Sequence, residues 1–286
     1  MKKIVILSLL IATASSGIAQ QTTEKFPLGQ YEELKDTKPH DGAEVWNKIQ
    51  APTLLSWGTT DIRYKKLDVP NIKKSVSSFQ MKAWKGERVN AQAVLWTKTD
   101  LKGVKVEVGE LKNGSAVIPA SAIQTNFVRY VMTDELNKDR KGGCGNRENK
   151  AEWDSSIVAD ALDIVKIQDI KANTTQPIWL NVWVPADAKS GKYKGTLKIS
   201  GEGMKDMTLQ YDIQVSNRVL PEPQQWKFNL DLWQNPYSVA RYYQVPLWSK
   251  AHFDAMRPIM KMLANAGQYA ITTSIMHKPW NGQTED

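Results

Sequence analysis

Met207-Thr208-Leu209-Gln210-Tyr211-Asp212-Ile213-Gln214-Val215 alternates apolar and polar side chains without a break. Successive side chains of an extended chain point to opposite faces, so Leu209, Tyr211, Ile213 and Val215 share one face. Thr208, Gln210, Asp212 and Gln214 share the other, which makes this a strand with a core side and a water side. The same period runs upstream. Ile178, Leu180, Val182 and Val184 oppose Trp179, Asn181 and Trp183; Val89, Ala91, Ala93 and Leu95 alternate with Asn90 and Gln92. Residues 104–108 and 193–199 repeat the pattern, and turn clusters such as Lys112-Asn113-Gly114 and Ser200-Gly201-Glu202-Gly203 separate the runs. Residues from about 50 to 219 therefore read as an antiparallel β-sandwich.

Working outward, residues 133–156 form a long polar insertion carrying Gly142-Gly143-Cys144-Gly145, a length that in compact domains is usually functional or mobile. A short helix is expected after it, over 157–164. Residues 20–48 are polar and turn-rich and read as irregular. Before them, Lys2 and Lys3 precede an apolar run over 4–14, and Ser16-Gly17-Ile18-Ala19 offers small residues for a peptidase. Residues 1–19 thus read as an export signal cut after Ala19. No later apolar segment approaches the roughly twenty residues of a membrane span. The expected location is the periplasm or cell surface of a bacterium.

The pattern changes at Pro221-Glu222-Pro223, which reads as an interdomain joint. A strand is expected over 226–233, with Trp226, Phe228, Leu230 and Leu232 on one side. Ser249 then offers an N-cap, Phe253, Met256, Met260 and Leu263 recur at helical spacing, Pro258 sits within, and Gly267 is a stop. A second strand is expected over 270–276. Strand, helix, strand is a βαβ unit. One such unit cannot close a core, because its sheet has bare edges, so the chain is expected to be a piece of a longer protein. The fold class expected is mainly β: an antiparallel β-sandwich over 20–222 with its irregular leader, followed over 223–286 by the first βαβ unit of an incomplete (β/α)8 barrel.

Composition narrows the function classes. A hydrophobic share of 41% and a charged share of 24% suit an ordinary globular chain and exclude collagen-like or wholly disordered readings. The formal net charge of +8 is dispersed, with Lys65-Lys66 and Lys73-Lys74 the densest pairs, so no nucleic-acid partner is expected. Cys144 is the single cysteine, which excludes an internal disulfide, and His40, His252 and His277 are too scattered for a metal site. No metal or cofactor is expected, and the pattern sets no oligomeric state. Eleven tryptophans tilt the reading toward a protein that meets flat ligands such as sugar rings, although Trp is also core filler.

Three stretches carry a resemblance together: Gly86-Glu87-Arg88-Val89-Asn90-Ala91-Gln92-Ala93, Pro185-Ala186-Asp187-Ala188-Lys189-Ser190-Gly191-Lys192-Tyr193-Lys194-Gly195-Thr196, and the run from Asp231-Leu232-Trp233-Gln234-Asn235-Pro236 to His277-Lys278-Pro279-Trp280-Asn281. The first two resemble the N-terminal β-sandwich of glycoside hydrolase family 123, and the third the start of that family's catalytic (β/α)8 barrel. The barrel run is the specific part; the Gly-x-Tyr-x-Gly stretch occurs in many exported sandwiches. The resemblance implies an exo-acting β-N-acetylgalactosaminidase whose partner is a glycan with a terminal N-acetylhexosamine. It implies substrate assistance: the sugar's acetamido oxygen attacks the anomeric carbon, an Asp orients that group, and an adjacent Glu serves as acid and then base. By the family pattern this pair lies beyond Asp286, so no catalytic residue is assigned within the chain.

Asp134-Glu135 matches that pair in letters but precedes any barrel strand, whereas barrel enzymes keep catalytic groups at the C-terminal ends of strands. Three roles stay open for it: solvated loop charges, which is preferred, a loop that approaches the catalytic domain, and catalysis. The candidate substrate-binding residues are Asp231, Trp233 and Gln234 at the end of the first expected barrel strand, and His277 and Trp280 after the second. Trp faces stack on sugar C–H surfaces, and Asp, Gln and His hydrogen-bond hydroxyls. The alternative makes Trp233 and Trp280 loop packing and His277 a surface or capping residue. A reading from another class also stands: a non-catalytic carbohydrate-binding or structural β-sandwich protein with 223–286 as a tail.

Overall fold

The computed structural model describes residues 40–133 and 156–272. In chain order its elements are α1 (Ala43–Asn47), β1 (Thr53–Gly58), β2 (Ser78–Lys85), β3 (Arg88–Thr97), β4 (Leu101–Val108), β5 (Leu111–Asn113), β6 (Ala116–Ile118), β7 (Ile123–Thr133), β8 (Ser156–Leu162), β9 (Ile167–Ile170), β10 (Thr174–Trp183), β11 (Gly191–Glu202), β12 (Met207–Val219), α2 (Pro236–Tyr243) and α3 (Lys250–Asn265). One sheet runs β1-β3-β10-β7-β8; the other runs β2-β12-β11-β4-β9, with β5 and β6 attached through β11. Both sheets contribute to one core: Ala91, Leu95, Ile178 and Leu180 from the first meet Val104, Leu197, Tyr211 and Ile213 from the second. Trp57 of β1 spans the two sheets. Its ring meets Tyr211 edge-on at 6.0 Å and its indole N–H donates to the Gln210 carbonyl at 2.8 Å.

The expected sandwich forms, with three differences. First, the second sheet is mixed, because β2 pairs with β12 in parallel, whereas the first is antiparallel throughout. The chain leaves β2 through a turn at Gly86 (φ +81°) and enters β3 in the other sheet, so β2 does not fold back on a sequence neighbour. Second, the segment expected as a helix over 157–164 is strand β8, antiparallel to β7. Ile157 and Ala159 pack with Val128 and Tyr130 in a small cluster of their own, and that partner outweighs the helical preference of Ala and Leu, which tertiary context readily overrides. Third, the outer face of β3 is not left to water. Trp46 of α1, a helix inside the leader expected to be irregular, joins Tyr64 over Val94 and Trp96. Gln92 on that face is buried and donates to the carbonyls of Thr59 and Ile62 at 2.7 and 3.1 Å.

Beyond the sandwich, α3 forms as expected with Ser249 as N-cap and Pro258 inside it, and α2, which was not expected, precedes it. No strand ladder forms over 226–233; Trp226 and Phe228 stack at 5.4 Å, and Phe228 and Leu232 are exposed. The second expected barrel strand, 270–276, lies mostly outside the described residues, as do the leader over 20–39, the signal and the 134–155 part of the insertion. Among the described residues no helix is long and apolar enough to cross a membrane.

Two local constraints yield tests. A Cβ on Gly195 would lie 2.4 Å from Leu111 Cδ2 and 2.8 Å from Tyr211 Cζ. Gly195→Ala should therefore cost about 1–3 kcal/mol by overpacking. The Tyr211 hydroxyl is buried with no partner among the described residues, and burial pushes its phenol pKa up. Removing it in Tyr211→Phe should raise stability by ~1 kcal/mol and recover part of the Gly195→Ala loss; denaturant unfolding of the double mutant checks both.

The second test concerns Asp163, which follows β8 at the open end of the β7–β8 pair, its N–H on the Phe127 carbonyl of β7. Its carboxylate accepts from Arg129 Nε and Nη2, each at 3.0 Å. Burial works to raise the carboxyl, but the Arg129 hydrogen bond and charge and the Val165 and Ile164 N–H groups outweigh it and hold its pKa low. A depressed folded-state pKa gives stability that is present above the unfolded value of about 4 and lost as pH falls through the folded value. Asp163→Asn should cost roughly 1–3 kcal/mol at neutral pH and lose part of the parent's decline below pH ~4. Equal acid sensitivity in parent and variant would show that the pair does not set it.

Candidate functional site

The chain leaves β12 at Val219, turns through a short 3-10 segment, Pro223–Gln225, and runs without regular secondary structure to Asn235. Asn235 stops that run by capping α2: its side-chain oxygen accepts from the Ser238 N–H at 3.2 Å, and Pro236 supplies the fixed φ of a first helical position. After α3, Gly267 (φ +91°) reverses the chain, and a Cβ there would sit 2.6 Å from the Pro223 carbonyl oxygen. Residues 268–272 are thereby returned beside 231–234.

Side chains hold these two segments together. Gln268, almost fully buried, accepts from the Leu232 N–H at 3.1 Å and donates to the Leu232 and Ala270 carbonyls at 3.2 and 2.6 Å. Its amide makes the pair of bonds that a neighbouring strand would make to Leu232. The Thr272 hydroxyl donates to the Asp231 carboxylate, 2.8 and 2.9 Å from its two oxygens. The Gln234 N–H reaches the Thr272 carbonyl at 3.4 Å, and its side-chain amide folds back onto the Leu232 carbonyl.

Of the candidate residues, Asp231 and Gln234 both meet Thr272, and Trp233 lies between them in the chain. Trp233 is 64% exposed and Asp231 is exposed, although Thr272 already engages its carboxylate. His277, Trp280, Asp134 and Glu135 lie outside the described residues. A shallow hollow of about 470 Å³ lies at the joint, lined by Leu220, Pro221, Gln225, Trp226, Lys227 and Phe228. None of the candidates lines it, and its walls are mostly apolar, so the exposed group at 231–234 is the better site. Among the described residues no cluster of three His, Cys, Asp or Glu side chains could hold a metal ion.

Sequence reasoning missed Gln268 and Thr272. Gln268 follows directly on the Gly267 stop and precedes the strand expected over 270–276, which contains Thr272; those positions were a signal for proximity, not for the roles of the two side chains. It also missed His252. This ring is fully buried, its Nδ1 accepts from the Trp248 N–H at 3.0 Å, and its Nε2 lies 2.8 Å from the Pro236 carbonyl. Those partners place the ring hydrogen on Nε2.

Comparison with known proteins joins these features. The sequence pattern of the "Glycoside hydrolase 123 N-terminal domain" matches residues 57–201, and that of the "Glycoside hydrolase 123, catalytic domain" matches 233–286. The first match covers the sandwich from the end of β1 to β11, short of β12, and the second begins at Trp233, within the candidate site. Together they define a glycoside hydrolase-like protein. The chain belongs to glycoside hydrolase family 123.

Among solved structures, a family 123 glycoside hydrolase from Clostridium perfringens, studied for glycolipid glycan hydrolysis, superposes with a TM-score of 0.70 at 23% identity, over 82% of this chain and 40% of that one. The chain thus spans about two fifths of that relative. The GspB Siglec domain also matches, with 12% identity over 76% of this chain and 77% of its own, but its TM-score of 0.29 carries no argument. No curated protein matches.

The amide bridge gives a test. Gln268→Ala leaves the Leu232 N–H without its partner and takes one of two side-chain donors from the Leu232 carbonyl; it should cost about 1–3 kcal/mol, with the Leu232 amide exchanging faster while amides of β10 and β12 are unchanged. Unchanged exchange at Leu232 would show that the backbone alone holds the two segments together.

Proposed function

We propose that this chain supplies the sandwich domain (20–222) and the opening of the catalytic barrel (223–286) of an exported β-N-acetylgalactosaminidase-like glycosidase. The observation that carries the reading is the catalytic-domain match beginning at Trp233, inside the cluster built by Asp231, Gln234, Gln268 and Thr272. The parallel order of contacts, Leu232 with the 268–270 stretch and Gln234 with Thr272, supports two neighbouring barrel strands. The relative's role in glycolipid glycan hydrolysis supports a glycan substrate, and the leader of Lys2, Lys3 and the apolar 4–14 run supports export.

In this reading the hydrolysis is substrate-assisted. The acetamido oxygen of the terminal sugar attacks the anomeric carbon, and an adjacent Asp-Glu pair in the remainder of the barrel orients that group and moves the proton. With no enzyme nucleophile, the usual spacing of two opposed carboxylates does not apply. The residues present here bind and orient the sugar. Trp233 stacks on the sugar, Asp231 accepts from a hydroxyl, and Gln234, His277 and Trp280 complete the wall. The Thr272 hydroxyl fixes the Asp231 carboxylate and leaves acceptor capacity free.

The test compares residues 20–286 with the protein carried through the rest of its catalytic domain, using aryl β-N-acetylgalactosaminide and β-N-acetylglucosaminide. Turnover is expected from the longer protein and not from 20–286, and Glu135→Gln should change neither. Glycan binding without hydrolysis in the longer protein would instead support the non-catalytic sandwich. Because Trp233 is 64% exposed, Trp233→Ala should leave the melting temperature nearly unchanged. It should lower kcat/KM at least tenfold, about 1.4 kcal/mol of transition-state stabilisation. Unchanged kcat/KM would remove Trp233 from the sugar pocket.

A further inference from the structure

Trp248 stands immediately before the N-cap of α3 with φ +60°. Left-handed backbone is rarely adopted by a bulky side chain. The other two non-glycine positive values among the described residues have local reasons: Gln244 closes the C-terminus of α2, and Asn173 belongs to a type that tolerates this region. Trp248 is the third residue of a turn closed by the Ser249 N–H on the Pro246 carbonyl at 3.2 Å, a position that glycine or asparagine usually takes. The buried His252 secures that turn with the bulky residue in it: its Nδ1 takes the Trp248 N–H at 3.0 Å while its Nε2 donates to the Pro236 carbonyl at 2.8 Å. The imidazole is thus a clamp between the start of α3 and the start of α2, and Pro236 lies two residues after Gln234.

The ring so placed is not hidden. Trp248 is 51% exposed, is braced edge-on by Tyr237 at 5.8 Å, and has the His252 ring 5.3 Å away. Phe253 also packs against the ring at 6.4 Å, yet half of it stays open to solvent on a strained backbone, and such strain collects at ligand sites. In a βα barrel, the helix that follows a strand begins at the face where ligands bind. Here α2 starts directly after the 231–234 segment, and the His252–Pro236 bond ties the start of α3 to the start of α2.

Resting on the glycosidase reading above, we propose that Trp248 is a second aromatic platform for the glycan, stacking on a sugar ring beside the Asp231–Gln234 wall, with His252 as its positioning residue. The His252 bonds fix both backbone and ring, so the platform is preformed and little freedom is lost on binding.

The experiment uses the protein carried through its catalytic domain and the variant Trp248→Gly, with Trp248→Phe beside it. Glycine adopts φ +60° without strain, so Trp248→Gly removes the ring while relaxing the backbone. The expected result is a KM for the aryl N-acetylhexosaminide raised about tenfold, the scale of a lost stacking contact, with kcat little changed. Trp248→Phe should fall between. His252→Ala, which frees the Trp248 N–H, should raise KM in the same direction.

KM does not depend on how much of a sample is folded, so an unchanged KM in Trp248→Gly overturns the proposal whatever the melting temperature does. A parent protein without turnover on any N-acetylhexosaminide refutes the glycosidase reading instead. Binding of N-acetylgalactosamine, followed by calorimetry, then decides on Trp248 separately: tenfold weaker binding in Trp248→Gly upholds the platform, and equal or absent binding in parent and variant overturns it.

Discussion

Along β3 and β10 the antiparallel register runs from Thr97 opposite Thr174 to Arg88 opposite Trp183, and most of both strands is buried on both faces. A two-stranded ribbon buried in this way needs a cover on each side, and the fold supplies two different ones. The inner cover is the second sheet, brought close by Trp57, whose indole hydrogen-bonds the Gln210 backbone of β12. The outer cover is the segment before β2, where Thr175 takes part in two bonds, its N–H to Lys66 and its hydroxyl to Asp68, at 2.8 Å each. Gln92 serves the same purpose from β3. Buried polar groups on the outer face are thus satisfied by the covering loop, without which each would cost about 1–3 kcal/mol.

The end of that ribbon also fixes where the chain goes next. Gly86 donates its N–H to the Val184 carbonyl at 2.8 Å, Val184 returns a bond to Glu87 at 2.9 Å, and the Leu220 N–H reaches Lys85 at 2.8 Å. The exit of β12 is therefore pinned to the turn between β2 and β3. From there the 3-10 turn at Pro223–Gln225 meets the far end of α3: Gln224 Nε2 lies 3.4 Å from the Ala264 carbonyl, and the Tyr269 hydroxyl donates to the Gln224 carbonyl. Gln268 follows and grips Leu232. A continuous series of bonded contacts runs from the rigid sandwich to the candidate site.

What could be read from the sequence was whatever depends on neighbours along the chain. The alternation at 207–215 and 178–184 gave strands with the right buried faces, because one face of each meets the core directly. Ser249 and Gly267 bounded α3 for the same local reason. The misreadings all involve distant partners. Residues 157–162 form a strand because β7 lies beside them, and β3 lost its water face because Trp46 and Tyr64 fold over it. The segment over 226–233 has the apolar alternation of a strand but lacks a ladder, and its contacts come from the side chains of Gln268 and Thr272. At the site, Asp231, Trp233 and Gln234 were legible as exposed chemistry at the end of an extended run. The His252 clamp was not, since nothing local says that a histidine four residues after Trp248 will have its other nitrogen on Pro236.

The division of labour between backbone and side chains at the site has a mechanical consequence. Where strands pair by a full ladder, position is set by many bonds and one substitution changes little. At 231–234 the position of Leu232 depends on one amide, and the orientation of the Asp231 carboxylate on one hydroxyl. A carboxylate has about four acceptor positions, so Thr272 orients Asp231 without using it up, and the remaining positions face outward from an exposed residue. The Trp248 turn is likewise tied to the rest of the fold by one imidazole. Asp231 and Trp248 in the proposed pocket are thus aimed by neighbours that do not themselves need to touch the ligand. The pocket's geometry should therefore be sensitive to Gln268, Thr272 and His252 as much as to the residues that meet the sugar.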